Sequence, residues 1–276
     1  MDKRIIRINN NISDKEYMLS DVEEVIIGSK VRKIGNRAFA FCKQLKKIVF
    51  ECKSVELGYE CFCYCEKLKT ICLPKMTHIP YRCFFASGLT SITFPNNLIG
   101  IDAEAFCCCH FKKLNFPSSL KTIGSEAFLS AGSLETIDFK NIEKLSDYSF
   151  AWTNIERIKI GRTIEIIPYM CFNKCDLKYV EILPTEERGA PYENARDIIR
   201  LDRYSFANNP NMTIKMPERA NGYEETFWVN NHPYFKVYIK EPDKNMKILL
   251  PNTYLKYLGS SKIIYYSNNN IKVEGY

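Results

Sequence analysis

The stretch Val31-Arg-Lys-Ile34-Gly35-Asn-Arg-Ala38-Phe39-Ala-Phe-Cys42-Lys-Gln-Leu45-Lys-Lys-Ile48 recurs, in altered form, along most of the chain. Its Phe39 heads a column of eight: Phe39, Phe62, Phe84, Phe106, Phe128, Phe150, Phe172 and Phe206, at separations of 23, 22, 22, 22, 22, 22 and 34 residues. A period in the low twenties marks a solenoid. Each unit cannot bury its apolar face alone, so successive units stack into one continuous core.

Three further columns share the period. Five residues before each Phe stand Ile34, Leu57, Ile79, Ile101, Ile123, Leu145, Ile167 and Leu201. Eight before it stand Val31, Met76, Leu98, Leu120, Ile142, Ile164 and Ile198, with Val55 displacing Ser54 in one unit. The residue just before Phe is always small (Ala38, Cys61, Cys83, Ala105, Ala127, Ser149, Cys171, Ser205), as expected where adjacent coils lie close together.

After each Phe an alternating pattern follows, such as Leu45, Ile48, Phe50 or Leu177, Val180, Ile182. The spacing of two puts Ile48 and Phe50 on the buried face of a short strand and Val49 on the open face. One strand per coil builds a parallel sheet with about 4.8 Å between neighbours. Gly28, Pro74, Pro95, Pro117, Gly161 and Pro217, with Pro184 one place late, end the strands. Gly35, Gly58, Pro80, Asp102, Gly124, Ser146, Pro168 and Asp202 follow the inward Ile or Leu. They predict a short helical or 3-10 turn carrying the Ala-Phe pair.

Val31 to Ile48, and Leu120-Lys-Thr-Ile123-Gly-Ser-Glu-Ala127-Phe128 like it, resemble the BspA-type leucine-rich repeat over roughly residues 22–217. The resemblance implies a right-handed leucine-rich-repeat solenoid, with a parallel β-sheet on one face and short helical or 3-10 turns on the other. Proteins of this type are often microbial surface, adhesion or binding proteins, and the family brings no shared catalytic residues. Residues 1–30 then read as an N-terminal cap with half a repeat, since Val22, Val25 and Ile27 fit the strand columns. Residues 31–217 are the array, and 218–276, rich in Tyr and Phe, close its C-terminal end, because an unsealed solenoid would expose apolar surface and a pairing edge.

The chain has 276 residues, 46% hydrophobic, with 26% charged and a net charge of +7. That suits one soluble, mildly basic domain without the concentrated basic stripe a phosphate backbone would call for. Of the twelve cysteines, Cys42, Cys65, Cys109 and Cys175 share the column three after Phe, and Cys61, Cys83 and Cys171 the small column before it. Ser, Ala, Thr and Asn replace them in other coils, so they read as small, free, buried residues. Cys61-x-Cys63-x-Cys65 and Cys107-Cys108-Cys109-His110 invite a metal reading, but no paired CxxC knuckles exist and no metal or cofactor is expected.

This many free thiols favours a reducing compartment. The N-terminus lacks an apolar run of signal-peptide length, and no segment approaches transmembrane length, so a cytoplasmic location is expected. The alternative is the cell surface or secretion, with an export signal trimmed away.

Between Phe172 and Phe206 twelve extra residues lie within 185–197, and insertions in repeat arrays become loops on one face. Outward strand positions form two rows of mixed charge. One runs Glu24, Lys47, Thr70, Ser91, Lys113, Thr136, Arg157, Tyr179, Thr213; the other runs Ile26, Val49, Cys72, Thr93, Asn115, Asp138, Lys159, Glu181, Lys215.

No nucleophile elbow, P-loop or zinc-protease motif is present, and only His78, His110 and His232 occur, so no enzyme is expected. The expected function is a non-catalytic module, a monomer that binds a protein or peptide and neither nucleic acid nor a membrane. The alternative is an adhesin for host matrix or glycan. The candidate partner-binding residues are Lys113, Arg157, Lys159, Tyr179 and Glu181 on the strand face and Glu187, Arg188 and Tyr192 in the insertion.

Overall fold

Short apolar-alternating segments separated by Gly and Pro cannot satisfy their own backbone, so each coil pairs with its neighbours on every side. The computed structural model describes residues 4–132, 134, 136–161, 163–164, 166–182, 200–201, 205–209, 212–215, 247–250 and 272–275. The insertion 185–197, with Glu187, Arg188 and Tyr192, lies outside them, as does most of 218–276.

Nineteen strands are described: β1 (Ile5–Ile8), β2 (Glu24–Ile27), β3 (Lys33–Ile34), β4 (Lys47–Phe50), β5 (Glu56–Leu57), β6 (Thr70–Cys72), β7 (His78–Ile79), β8 (Ser91–Thr93), β9 (Gly100–Ile101), β10 (Thr122–Ile123), β11 (Thr136–Phe139), β12 (Lys144–Leu145), β13 (Arg157–Ile160), β14 (Ile166–Ile167), β15 (Tyr179–Ile182), β16 (Arg200–Leu201), β17 (Thr213–Lys215), β18 (Lys247–Leu250) and β19 (Lys272–Gly275). Every pairing is parallel.

The longer strands form one face, in the pieces β1-β2-β4, β6-β8 and β11-β13-β15-β17-β18-β19. The two-residue strands form a second, and in it the inward column lies in register: Ile34 opposite Leu57, Ile101 opposite Ile79 and Ile123, Ile123 opposite Leu145. An isolated bridge joins Ile12 to Ile34, so this column reaches into the N-terminal segment. Val55 is buried and Ser54 exposed, as the shifted column requires.

The third face corrects the sequence expectation. Among the described residues there is neither an α-helix nor a 3-10 helix. Alternate amides around each Phe point along the solenoid axis: Arg37, Phe39 and Phe41 donate to the carbonyls of Tyr59, Cys61 and Cys63 in the next coil at 2.9, 2.9 and 2.8 Å. The amides between them, Ala38, Ala40 and Cys42, close tight turns onto Gly35, Arg37 and Phe39. A helix would send every amide back along its own coil. The alternation instead requires positive φ two residues before and after the Phe, as at Arg37 (56°), Phe41 (60°), Glu60 (53°) and Tyr64 (57°), through to Met170 (50°) and Lys174 (56°). Left-handed backbone costs a non-glycine residue about 1–2 kcal/mol, so each coil trades local strain for hydrogen bonds to its neighbour.

Those bonds hold the Phe rings one above another. Neighbouring rings lie 5.0–5.8 Å apart and within 15° of parallel from Phe39 to Phe206. Tyr17 adds a ring at the N-terminal end, 5.2 Å from Phe39. Parallel rings at these centroid distances are offset-stacked, one of the two arrangements aromatic quadrupoles prefer; edge-on rings from the strand side supply the other, with Phe94 meeting Phe106 at 83° and Phe139 meeting Phe150 at 73°. Across the 34-residue separation the ladder persists, since Phe172 N–H donates to Ser205 O at 2.8 Å and the two rings stay stacked at 5.5 Å.

Phe128 is fully buried between Phe106 (5.2 Å) and Phe150 (5.0 Å). Phe128→Ala is expected to cost about 3–5 kcal/mol in urea unfolding, and a loss below about 1 kcal/mol would contradict the stacked core.

Candidate functional site

Strand alternation turns every second side chain of the longer strands to the open face, and the parallel register lines these up from coil to coil. Thr136, Arg157, Tyr179 and Thr213 are successive partners, and so are Asp138, Lys159, Glu181 and Lys215. The backbone ladder continues through β18 and β19, where Thr213 pairs with Lys247 and Lys247 with Lys272, positions the 22-residue period does not reach.

Four of the candidate residues come together as a square on β13 and β15. The Arg157 guanidinium lies 5.6 Å from the centre of the Tyr179 ring, and Lys159 Nζ is 3.5 Å from Glu181 Oε2. Tyr179 is half-buried; that burial and the Glu181 carboxylate raise its hydroxyl pKa, opposed by Arg157 and Lys159. An exposed ion pair contributes about 0–1 kcal/mol and an exposed cation–π contact about 0.5–1 kcal/mol. Contacts this weak hold the four side chains in place while leaving them free to exchange partners.

Lys113 does not join them. It is exposed, but residues 112–117 form no strand, so its place in a strand row is corrected. Phe111 occupies the column that Leu45, Leu68, Leu89 and Leu134 fill elsewhere, edge-on to Phe106 at 5.5 Å and 75°. Pairing there is limited to one bridge between Phe111 and Gly132. Gly132 has φ +100°, and a Cβ on it would lie 2.5 Å from Phe111 O. The open face is therefore divided, and the square belongs to its C-terminal piece.

Sequence reasoning missed a polar ladder on the turn face. Arg37 pairs with Glu60, and Arg82 lies 3.5 Å from Glu60 Oε1 and 3.4 Å from Glu104 Oε2. Arg82 also sits 4.0 Å over the Phe85 ring, and Tyr81 donates to Glu104 at 3.1 Å. The signal was present: Arg37, Glu60, Arg82 and Glu104 alternate in sign two residues before each Phe.

All twelve cysteines are free, and among the described residues no group of three or more His, Cys, Asp or Glu side chains could hold a metal ion. The column three after Phe has a role beyond filling space. Cys42, Cys65, Cys109 and Cys175 donate S–H to the carbonyls of Tyr17, Phe39, Phe84 and Phe150, one coil back, at 3.0, 3.2, 3.2 and 3.0 Å. Asn209 does the same to Phe172 O at 2.7 Å. The column therefore admits small side chains, and the cysteines and Asn209 in it act as donors to the coil before, whereas Ala131 fills the same place without one. Burial pushes the Cys109 and Cys175 thiols up to about 12, which keeps them protonated as that role demands.

A model of the BspA type Leucine rich repeat region matches six copies over residues 10–89 and 77–188. The chain belongs to the BspA-type leucine-rich repeat family. No curated protein matches it. Solved structures similar to this BspA-type chain include a leucine-rich repeat protein from Bacteroides ovatus ATCC 8483, 16% identical, covering 98% of this chain and 92% of that one at a TM-score of 0.48. The pneumococcal vaccine antigen PcpA is 18% identical over 92% and 79% at a TM-score of 0.41. A leucine rich cell surface protein from Faecalibacterium prausnitzii A2-165 is 14% identical over 100% and 89% at a TM-score of 0.39. No helix among the described residues is long and apolar enough to cross a membrane. The expected cytoplasmic location gains no support from these comparisons.

The donor column makes stability depend on pH. A thiol whose pKa is raised on folding stabilises fully below its ordinary pKa of about 8.5, and that contribution is lost as pH rises toward the folded value. For Cys175 the folded value is about 12. Cys175→Ser keeps a donor that does not titrate, so its melting temperature is expected to fall less than the parent's between about pH 9 and pH 11. Parallel curves would contradict the assignment.

Proposed function

We propose that the protein is a non-catalytic binding module that takes a protein or peptide across the open strand face, centred on Arg157, Lys159, Tyr179 and Glu181. The observation that carries this reading is the square itself: two cations, an anion and a half-buried aromatic, in register on two adjacent strands. Tyr and Arg are the residue types that dominate binding energy when a partner excludes water from them. The parallel ladder fixes their spacing before any partner arrives, so little ordering remains to oppose association. Mixed signs suit polar complementarity with a polypeptide better than with a phosphate backbone. In this reading the insertion 185–197 extends the same surface, with Glu187, Arg188 and Tyr192 as additional contacts, and Lys113 has no part in the central patch.

The test is selection of binders from a displayed random-peptide library against the whole chain, followed by affinity measurements on three variants. Tyr179→Ala and Arg157→Ala are each expected to weaken the selected peptides by about tenfold or more, as central interface residues do. Trp152→Ala, on the turn face, should leave them unchanged. Peptides lost with Trp152→Ala but kept by both strand-face variants would move the site to the other side of the solenoid.

A further inference from the structure

Adjacent side chains on an extended strand point to opposite faces. Cys107 and Cys108 do not, because they lie in the turn run, where Cys108 has φ 58°. Their sulfurs converge to 3.6 Å. The backbone is held on both sides of the pair: Cys108 N–H donates to Leu129 O in the next coil at 2.8 Å, and Ala86 N–H in the preceding coil donates to Cys107 O at 2.8 Å. The convergence is thus built into the inter-coil ladder.

Exposure separates this pair from the other thiols. Ten of the twelve cysteines are buried, and Cys72 and Cys108 are exposed. Cys108 has a second thiol, Cys107, directly beneath it and only 3% exposed. Cys109, next in sequence, faces inward and is engaged with Phe84 O at 3.2 Å and Ser87 Oγ at 3.4 Å. Cys108 is exposed and Cys107 is buried, so Cys108 is the sulfur that meets reagents from solvent and Cys107 the one that follows.

We propose that Cys107 and Cys108 form an oxidation site that takes a hydroperoxide as its oxidant and closes to a disulfide between neighbouring residues. In the first step Cys108 sulfur attacks the peroxide, the O–O bond breaks, and Cys108 becomes a sulfenic acid with release of water; the sulfur is oxidised and the peroxide reduced. In the second, Cys107 sulfur displaces the sulfenic hydroxyl, which leaves as a second water carrying the Cys107 proton. Two thiols and one hydrogen peroxide give one disulfide and two waters. Consecutive Cα atoms are about 3.8 Å apart, closer than the usual disulfide separation of about 4.4–6.8 Å, so the ring is strained and readily opened. Two equivalents of a small thiol restore both cysteines and leave as their own disulfide.

The test is one equivalent of hydrogen peroxide on the reduced whole chain, with peptide mapping by mass spectrometry and no added reductant. The expected product is a single peptide lighter by two hydrogens across Cys107 and Cys108, reversed by dithiothreitol and unaffected by Cys72→Ser. In Cys107→Ser, dimedone should trap a sulfenic acid at Cys108. The proposal is overturned if Cys72 is oxidised first while Cys107 and Cys108 stay thiols, or if Cys108 joins a second chain instead of Cys107. Both readouts on the parent chain stand even if a variant fails to fold.

Discussion

The structure depends on amide groups that point along the solenoid axis. From the Tyr17 coil to the Phe150 coil three donors around the ring reach the next coil, with two more described at Phe172 and Lys174, and the strands on the other two faces do the same through their parallel ladders. Because a backbone group buried without a partner costs as much as a lost hydrogen bond, no coil can rotate or slip without opening all three ladders. That constraint fixes the ring stack and admits only small side chains just before Phe and three residues after it. It also imposes left-handed backbone on Arg, Glu, Phe, Tyr and Trp, residues that do not favour it.

Much of this was legible in the sequence because burial is periodic. The Phe, Ile and small-residue columns, the strand alternation and the displaced Val55 all follow from counting apolar positions. Hydrogen-bond direction leaves no such trace. A turn run whose amides alternate between neighbouring coils and a helix whose amides all run one way bury the same residues, and the positive-φ positions carry no glycine to mark them. Tyr17 and Ile12 escaped the column alignment because a tyrosine stands where Phe was sought.

The same limit applies to the candidate site. Outward rows could be read from alternation, and Arg157, Lys159, Tyr179 and Glu181 fall where it puts them. The Arg157–Tyr179 and Lys159–Glu181 contacts also needed the register between coils, which follows from the period once the sheet is parallel. Lys113 is exposed beside the buried Leu114, as alternation predicts, but pairing there is limited to the Phe111–Gly132 bridge, which the apolar pattern does not reveal. The Cys107–Cys108 convergence likewise depends on backbone handedness rather than spacing.

Hydrogen exchange followed residue by residue across the turn run around Phe106 addresses the central claim directly. Glu104, Phe106 and Cys108 donate to Ser125, Ala127 and Leu129 in the next coil at 2.8 Å each, while Ala105, Cys107 and Cys109 close turns within their own coil at 3.4, 3.2 and 3.2 Å. The inter-coil amides should exchange only when the array opens, and the amides between them faster, giving protection that alternates with a period of two. Uniform protection along residues 104–109, as in a helix, would contradict the account.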